Sequence, residues 1–454
     1  MHPALPYRLL NKFTIIISVI GVGIALIDSG FTLSSWLQHI FHLFYLTIIL
    51  LGFVATVWRY IRAKTRLSVN KVAIFDFLAS IAIFLLLAIH FTELARSGLS
   101  MPVDGFIAIK IAVFVTFIRE MSDNNFSLNR AFLNPGQFFI LSFLSVVLVG
   151  SLLLMMPNAT TEPISFVDAL FTATSAVCVT GLIVVDTATR FTTFGQLIII
   201  GLIQIGGLGI LTFVTYFSYF FKGGVSYETQ LSISEMTFSR RMGDMVSTLK
   251  SILYVTFGVE ALAAILIYIS IYDLQGMSFS ERLFFSAFHA ISAFCNAGFD
   301  TMGNSSLIEY AHNPGINLVI AALIILGGIG FSVWFDVTNL FHATAKMKQK
   351  PPLMRRLRSL TLHTRLAILM TIGLLVGGTL LFLIFEYTND ASIGTFSFGD
   401  KVLASFFHTV TMRTAGFASL DYSTITPISM FMSVVTMFIG GSPGGTAGGM
   451  KTTT

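Results

Sequence analysis

Three stretches of this chain repeat one another at a nearly constant interval. Phe171 to Leu182, Phe288 to Phe299 and Phe406 to Phe417 each place a glycine ten residues after the leading phenylalanine. Gly181 and Gly298 are 117 residues apart, and Gly298 and Gly416 are 118 apart. Such a period marks an internal repeat and has to be read before any local feature. In each copy a membrane-length apolar segment comes first. A short amphipathic stretch follows, then the glycine tetrapeptide, then a second apolar segment carrying a Gly-Gly pair. The order predicts helix, half-helix, loop, helix. A half-helix entering a membrane aims its negative C-terminal end at the centre, which favours a cation there. Non-helical backbone at membrane depth is tolerated only where it lines water or is buried in protein. Its carbonyls can replace the hydration shell of an alkali cation, and turning them one way requires φ > 0, hence glycine. The physics predicts an ion pore.

Composition agrees with this reading. Hydrophobic residues make up 55% of the chain and charged residues 11%, with mean hydropathy +0.83, as in polytopic membrane proteins. The net charge of +5 sits in short loops between apolar segments. The positive-inside rule accounts for it there, so nucleic acid is not an expected partner. Two cysteines, Cys178 and Cys295, make no disulfide framework.

Apolar segments at 12–28, 36–58, 71–91 and 105–118 predict four helices ahead of the first repeat, the last holding Lys110. The basic, acid-free loop 59–71 places itself and the N-terminus in the cytoplasm. One lysine is not the regular arginine row of a voltage sensor, so residues 1–130 read as an accessory packing bundle. Pore repeat one spans 131–245, with outer helix 136–156, half-helix 166–177, filter 178–182 and inner helix 193–220. Repeat two spans 246–362, with outer helix 251–272, half-helix 281–293, filter 295–299 and inner helix 315–338. Repeat three spans 363–454, with outer helix 366–387, half-helix 400–411, filter 413–417 and an inner segment from 427. A second basic loop, 341–365, is expected in the cytoplasm, and Asp186, Asp300 and Asp421 fall near the filters on the outer side. The period predicts a fourth glycine near 534, beyond Thr454, so the third repeat is expected to be incomplete and the fourth truncated.

Gly440, Gly441, Ser442, Pro443, Gly444, Gly445, Thr446, Ala447, Gly448 and Gly449 interrupt the third inner segment. Each glycine costs a helix about 1 kcal/mol and a proline about 3, so the stretch predicts an unwound, movable gate loop below the filter. Gly206-Gly207-Leu208-Gly209 and Gly327-Gly328-Ile329-Gly330 occupy the corresponding places, where a continuous helix is expected to tolerate them as packing sites. A phosphate-binding loop needs glycine directly before Lys-Thr; Met450 precedes Lys451 instead.

Val179-Thr180-Gly181-Leu182, Asn296-Ala297-Gly298-Phe299 and Thr414-Ala415-Gly416-Phe417, with the glycine-rich run ending in Lys451, resemble the Trk/Ktr/HKT superfamily of potassium transporters. The likeness is greatest to bacterial Ktr- and Trk-type membrane subunits and covers roughly residues 136–454. It implies an all-α polytopic fold of four helix–half-helix–filter–helix units around one pore. It also implies a potassium uptake subunit gated by the 440–449 loop, a homodimer in the inner membrane, on a separate cytosolic ring of nucleotide-binding regulatory subunits. Potassium is then the transported substrate, with no cofactor. The expected ligands are backbone carbonyls of Val179, Thr180, Gly181, Asn296, Ala297, Gly298, Thr414, Ala415 and Gly416. In the family, glycine at the place of Gly181 accompanies potassium preference, and serine accompanies sodium transport in some plant members. Arg413 is expected to brace the third filter, facing away from the ion and pairing with an acid or with half-helix carbonyls. His289 and His408 are expected to be structural. The alternative is a sodium- or proton-coupled symporter, which would use a mid-membrane carboxylate; Glu260, near-central in its span, and Asp336, near a helix end, are the candidates. An intramembrane enzyme would need a catalytic dyad, and none stands out.

Overall fold

A computed structural model of the chain describes residues 5–62, 71–97, 107–122, 135–209, 245–271, 277–303, 306–345 and 359–452. Its described residues are helices joined by turns, with two isolated backbone bridges, and they form two compact units.

The first unit holds α1 (Leu5–Gly30), α2 (Ser35–Arg62), α3 (Lys71–Ser97) and α4 (Ile107–Ser122). Tyr45, Ile48, Ile83, Ile109 and Val113 fill its core. Charges inside it are paired, as burial among apolar side chains demands. Lys110 meets Asp28 at 3.0 Å, and Tyr45 donates to the same carboxylate at 3.1 Å. Arg119 and Glu120, both 1% exposed, pair at 2.7 Å.

The second unit holds the repeats. Repeat one contributes α5 (Pro135–Leu154), α6 (Phe166–Val177), the single turn α7 (Thr187–Arg190) and α8 (Thr193–Gly207). Repeat two contributes α9 (Met245–Ser270), α10 (Phe279–Phe294), α11 (Pro314–Gly328) and α12 (Phe331–Ala345). Repeat three contributes α13 (Leu362–Glu386), α14 (Phe398–Thr411) and α15 (Pro427–Phe438).

The helix starts repeat as faithfully as the glycines. Ser165, Ser278 and Ser397 cap the half-helices α6, α10 and α14, each followed three residues later by Asp168, Glu281 or Asp400. A hydroxyl cap is worth about 1 kcal/mol and the following acid complements the dipole. Thr192, Asn313 and Thr426 cap the inner helices α8, α11 and α15.

The inner helices are not continuous. The expected helix 315–338 divides into α11 and α12, bent 97° apart. The break falls on Gly330, whose φ is +93°. The expected helix 193–220 stops at Gly207, with Gly209 at φ +76°, and its remainder from 210 lies outside the described residues. The glycine groups are therefore close-packing sites, as expected, but in helices that end there instead of continuing. The packing is against the half-helix of the same repeat. A Cβ on Gly206 would fall on the Val177 carbonyl and one on Gly327 on the Phe294 carbonyl, each the last residue of its own repeat's half-helix. Backbone meets backbone there, one residue before each helix ends.

Two core clusters tie neighbouring repeats. One joins Ala176, Val177, Ile199 and Ile203 of repeat one to Phe288, Cys295 and Phe299 of repeat two. The other joins Phe294, Ile320 and Ile324 of repeat two to Phe407, Val410 and Phe417 of repeat three. Each half-helix is packed from both sides, which brings the three glycine loops to one place. Among the described residues, four helices are long and apolar enough to cross a membrane, and the bent α11–α12 pair makes a fifth if counted as one. Parts of both basic loops, 63–70 and 346–358, lie outside the described residues; α12 runs through Ala345 and α13 starts at Leu362.

Candidate ion filter and gate

The loop after each half-helix has one backbone signature. Val179, Asn296 and Thr414 take φ of +55°, +57° and +67°, and Gly181, Gly298 and Gly416 take +77°, +70° and +88°. Two left-handed residues thus flank Thr180, Ala297 and Ala415. Only the glycines were legible as left-handed from sequence. A β-branched valine and threonine there are costly outliers, of order 1–3 kcal/mol, and persist only where surroundings impose them.

The loops touch. A methyl group on Gly181 would stand 2.5 Å from the Ala297 carbonyl oxygen, and one on Gly298 would stand 2.7 Å from that of Ala415. Gly416 faces back to the Cα of Gly298 at 3.0 Å. Side-chain hydroxyls hold the backbone just past the glycines: Ser292 donates to the Phe299 carbonyl and Thr411 to that of Phe417, both at 2.6 Å. Those two hydroxyls carried no sequence signal beyond their place on an apolar half-helix.

The third loop is one residue longer. Cys178 and Cys295 cap their half-helices and precede the left-handed residue directly, whereas Met412 caps α14 and Arg413 intervenes before Thr414. The phenylalanine-to-glycine spacing is ten in all three copies, so the extra loop residue comes from α14 ending one residue sooner. Arg413 is 5% exposed, and its guanidinium donates to the Gly440 carbonyl at 3.5 Å. It meets neither an acid nor a half-helix carbonyl among the described residues, so its expected partners are replaced by the gate loop. His289 sits on the Phe285 carbonyl at 2.8 Å and stacks with that ring; His408 lies 2.9 Å from the Ser433 hydroxyl and stacks on Phe382.

The 440–449 stretch leaves the helix after Phe438 and turns back on itself. Gly440 donates to Met450, Gly441 to Gly448, and Met450 to Phe438. Its other bonds go to the break in repeat two. Ser442 donates to the Gly328 carbonyl at 2.9 Å and Thr446 to the Gly327 carbonyl at 3.1 Å; Phe331 donates to Gly444 at 3.1 Å. The 97° bend frees those carbonyls and that amide from α-helical pairing, and the loop takes them up. Gly330, Gly441 and Gly445 all lie where a Cβ would press on backbone across this contact. Pro443 and Ala447 lie within the same seam.

The loop also reaches the second and third glycine loops. The Thr446 hydroxyl donates to the Phe294 carbonyl at 3.0 Å and lies 3.1 Å from the Asn296 amide. Gly448 donates to the Thr414 hydroxyl at 2.8 Å. Lys451, unremarked in the sequence except as no Walker lysine, donates to the Ala447 carbonyl at 2.7 Å.

A model of the TrkH family, described as cation transport protein, matches residues 104–454. The chain belongs to the TrkH family of cation transport proteins. That match begins ahead of the repeats, so α4 falls inside the family's extent, where the motifs alone suggested a start near 136. TrkH-family relatives agree. Ktr system potassium uptake protein B of Bacillus subtilis is 40% identical over 320 residues, 70% of this chain and 68% of that protein. Potassium/sodium uptake protein NtpJ of Enterococcus hirae is 36% identical over 72% of this chain and 68% of its own length. The crystal structure of the potassium transporter TrkH from Vibrio parahaemolyticus superposes with TM-score 0.54 at 18% identity, covering 85% of this chain and 73% of that one, a likeness of fold. As a TrkH-family member, the chain is an all-helical, multi-pass membrane transporter.

Proposed function

We propose that this chain is the pore-forming subunit of a potassium uptake system. The observation that carries the reading is the meeting of three loops of one backbone signature at the C-terminal ends of three half-helices. Carbonyls of residues 179–181, 296–298 and 414–416 would replace the ion's water, and the half-helix dipoles favour a cation beside them. The 440–449 loop is the gate: it lies under the filters, bonded to the broken inner helix of repeat two and to Arg413, Asn296 and Thr414. Arg413 braces that contact. Repeats of 131–245, 246–362 and 363–454 line the pore, and residues 1–130 form an accessory bundle. In this reading the subunit is a homodimer in the cell's inner membrane with its N-terminus in the cytoplasm. Separate cytosolic nucleotide-binding subunits control the gate. The names of the relatives, which are uptake proteins of potassium or of potassium and sodium, support it. Expression in a strain lacking potassium uptake tests it. Growth at low potassium is expected, together with rubidium entry into vesicles holding the purified protein; a protein present in the membrane that restores neither overturns the reading.

A further inference from the structure

One acid inside the second unit belongs to neither filter nor gate. Glu260 on α9 is 5% exposed and accepts from the Gln204 amide nitrogen of α8 at 3.1 Å. The other end of that amide, Gln204 Oε1, is buried without a hydrogen-bond partner. Thr256, one turn earlier on the face of Glu260, is likewise buried with its hydroxyl unpartnered. Cys295 packs its sulfur on Gly207, one helical turn beyond Gln204 on α8. Cys295 caps α10, so the acid stands behind the negative end of the second half-helix.

No counter-charge faces it among the described residues. The packed helices α8 and α11 contain no titratable side chain. On α10, Arg282 donates to the Met277 carbonyl near the helix start and His289 is held on Phe285; Glu281 caps the same end. Lys250 on α9 is ten residues away, about 15 Å along a helix. A bare carboxylate here would be a buried, uncompensated charge, costly by several kcal/mol, and would leave Gln204 Oε1 without a donor.

We propose that Glu260 is a proton-binding site. The carboxyl O–H donates to Gln204 Oε1 while Gln204 Nε2 donates to the other carboxyl oxygen. This two-way acid–amide pair clamps the outer helix of repeat two to the inner helix of repeat one, behind the second filter. The pair fills the orphaned acceptor and removes the charge. As pH rises and the proton passes to hydroxide, the clamp loses one bond and gains a negative charge, and the seat of Cys295 and Asn296 loosens.

Infrared difference spectroscopy of the full chain in lipid vesicles, between neutral and alkaline pH, tests this without requiring transport, so its failure is separate from failure of the potassium reading. The parent is expected to show the carbonyl band of a protonated buried carboxyl that disappears on alkalinisation, and Glu260→Gln to lack it. Rubidium flux is expected to fall with rising pH in the parent and to lose that fall in Glu260→Gln, whose amide pair cannot ionise. No such band in the parent at neutral pH, a band that survives in Glu260→Gln, or a sodium-dependent spectrum in its place overturns the proposal. If Glu260→Gln does not reach the membrane, Gln204→Leu serves: a band shifted to that of a carboxyl without its amide supports the pair, and an unshifted band overturns it.

Discussion

The first backbone amide of α12, on Phe331, donates to the Gly444 carbonyl at 3.1 Å. One helix end and the gate loop therefore hold each other. Along α12, Asp336 accepts from the hydroxyls of Thr361 and Thr364 at the start of α13, the latter at 2.6 Å. Asp336 is thus a link between helices and not a free coupling carboxylate. Excising 440–449 and rejoining the helix is expected to raise basal rubidium flux in vesicles. Asp336→Leu removes bonds worth about 1.5–3 kcal/mol each and should raise it partway. Unchanged basal flux in both would detach the loop and α12 from gating.

The glycine seams are a packing prediction. Gly327→Ala drives a methyl group onto the Phe294 carbonyl, and overpacking of this kind costs about 1–3 kcal/mol. Gly373 on α13 has nothing within 4 Å of a Cβ, so Gly373→Ala should be neutral or stabilising by up to about 1 kcal/mol. Thermal unfolding in detergent would separate the two, and equal midpoints would contradict the seam.

In the first unit, Lys110 and Asp28 pair at 3.0 Å with the carboxylate 6% exposed. Lys110→Met alone strands that carboxylate, a loss of about 3–5 kcal/mol, and should reduce membrane abundance. Adding Asp28→Asn should restore it. A double variant no better than the single would show that the pair does not carry the effect.

In the loop just past Gly298, burial raises the Asp300 carboxyl above the ordinary carboxylate range, and the neighbouring Asp186 adds to this, against hydrogen bonds from Met302 and Ser306. Asp421 goes the other way, lowered by hydrogen bonds from Ser423. Falling external pH therefore neutralises Asp300 first. Uptake should weaken in mildly acidic medium as that negative charge is lost, and Asp300→Asn should be low at all pH values with a flatter profile. An unaltered acid limb in Asp300→Asn would exclude it.

Much of this was written in the sequence, because the period, the glycines and the apolar lengths are local signals. Half-helices α6, α10 and α14 fall within two residues of their expected limits. The 97° bend was not legible, since Gly327-Gly328-Ile329-Gly330 costs a helix only modestly by propensity; the bonds that hold the bend come from Ser442, Gly444 and Thr446, more than a hundred residues away in sequence. The left-handed Val179 and Thr414 contradict their own preferences and are imposed by the neighbouring loops. That Arg413 falls in the loop and not at the helix cap could not be seen, because it depends on where α14 ends.

If the three loops form one potassium-selective filter, Gly181 is its most exacting position. A side chain there presses on the Ala297 carbonyl 2.5 Å away, in a backbone already at φ +77°. Paired potassium and sodium fluxes through vesicles holding the parent or Gly181→Ser decide the matter. A shared filter gives a lower potassium-over-sodium ratio in Gly181→Ser at comparable protein in the membrane; an unchanged ratio would remove Gly181 from the ion's path.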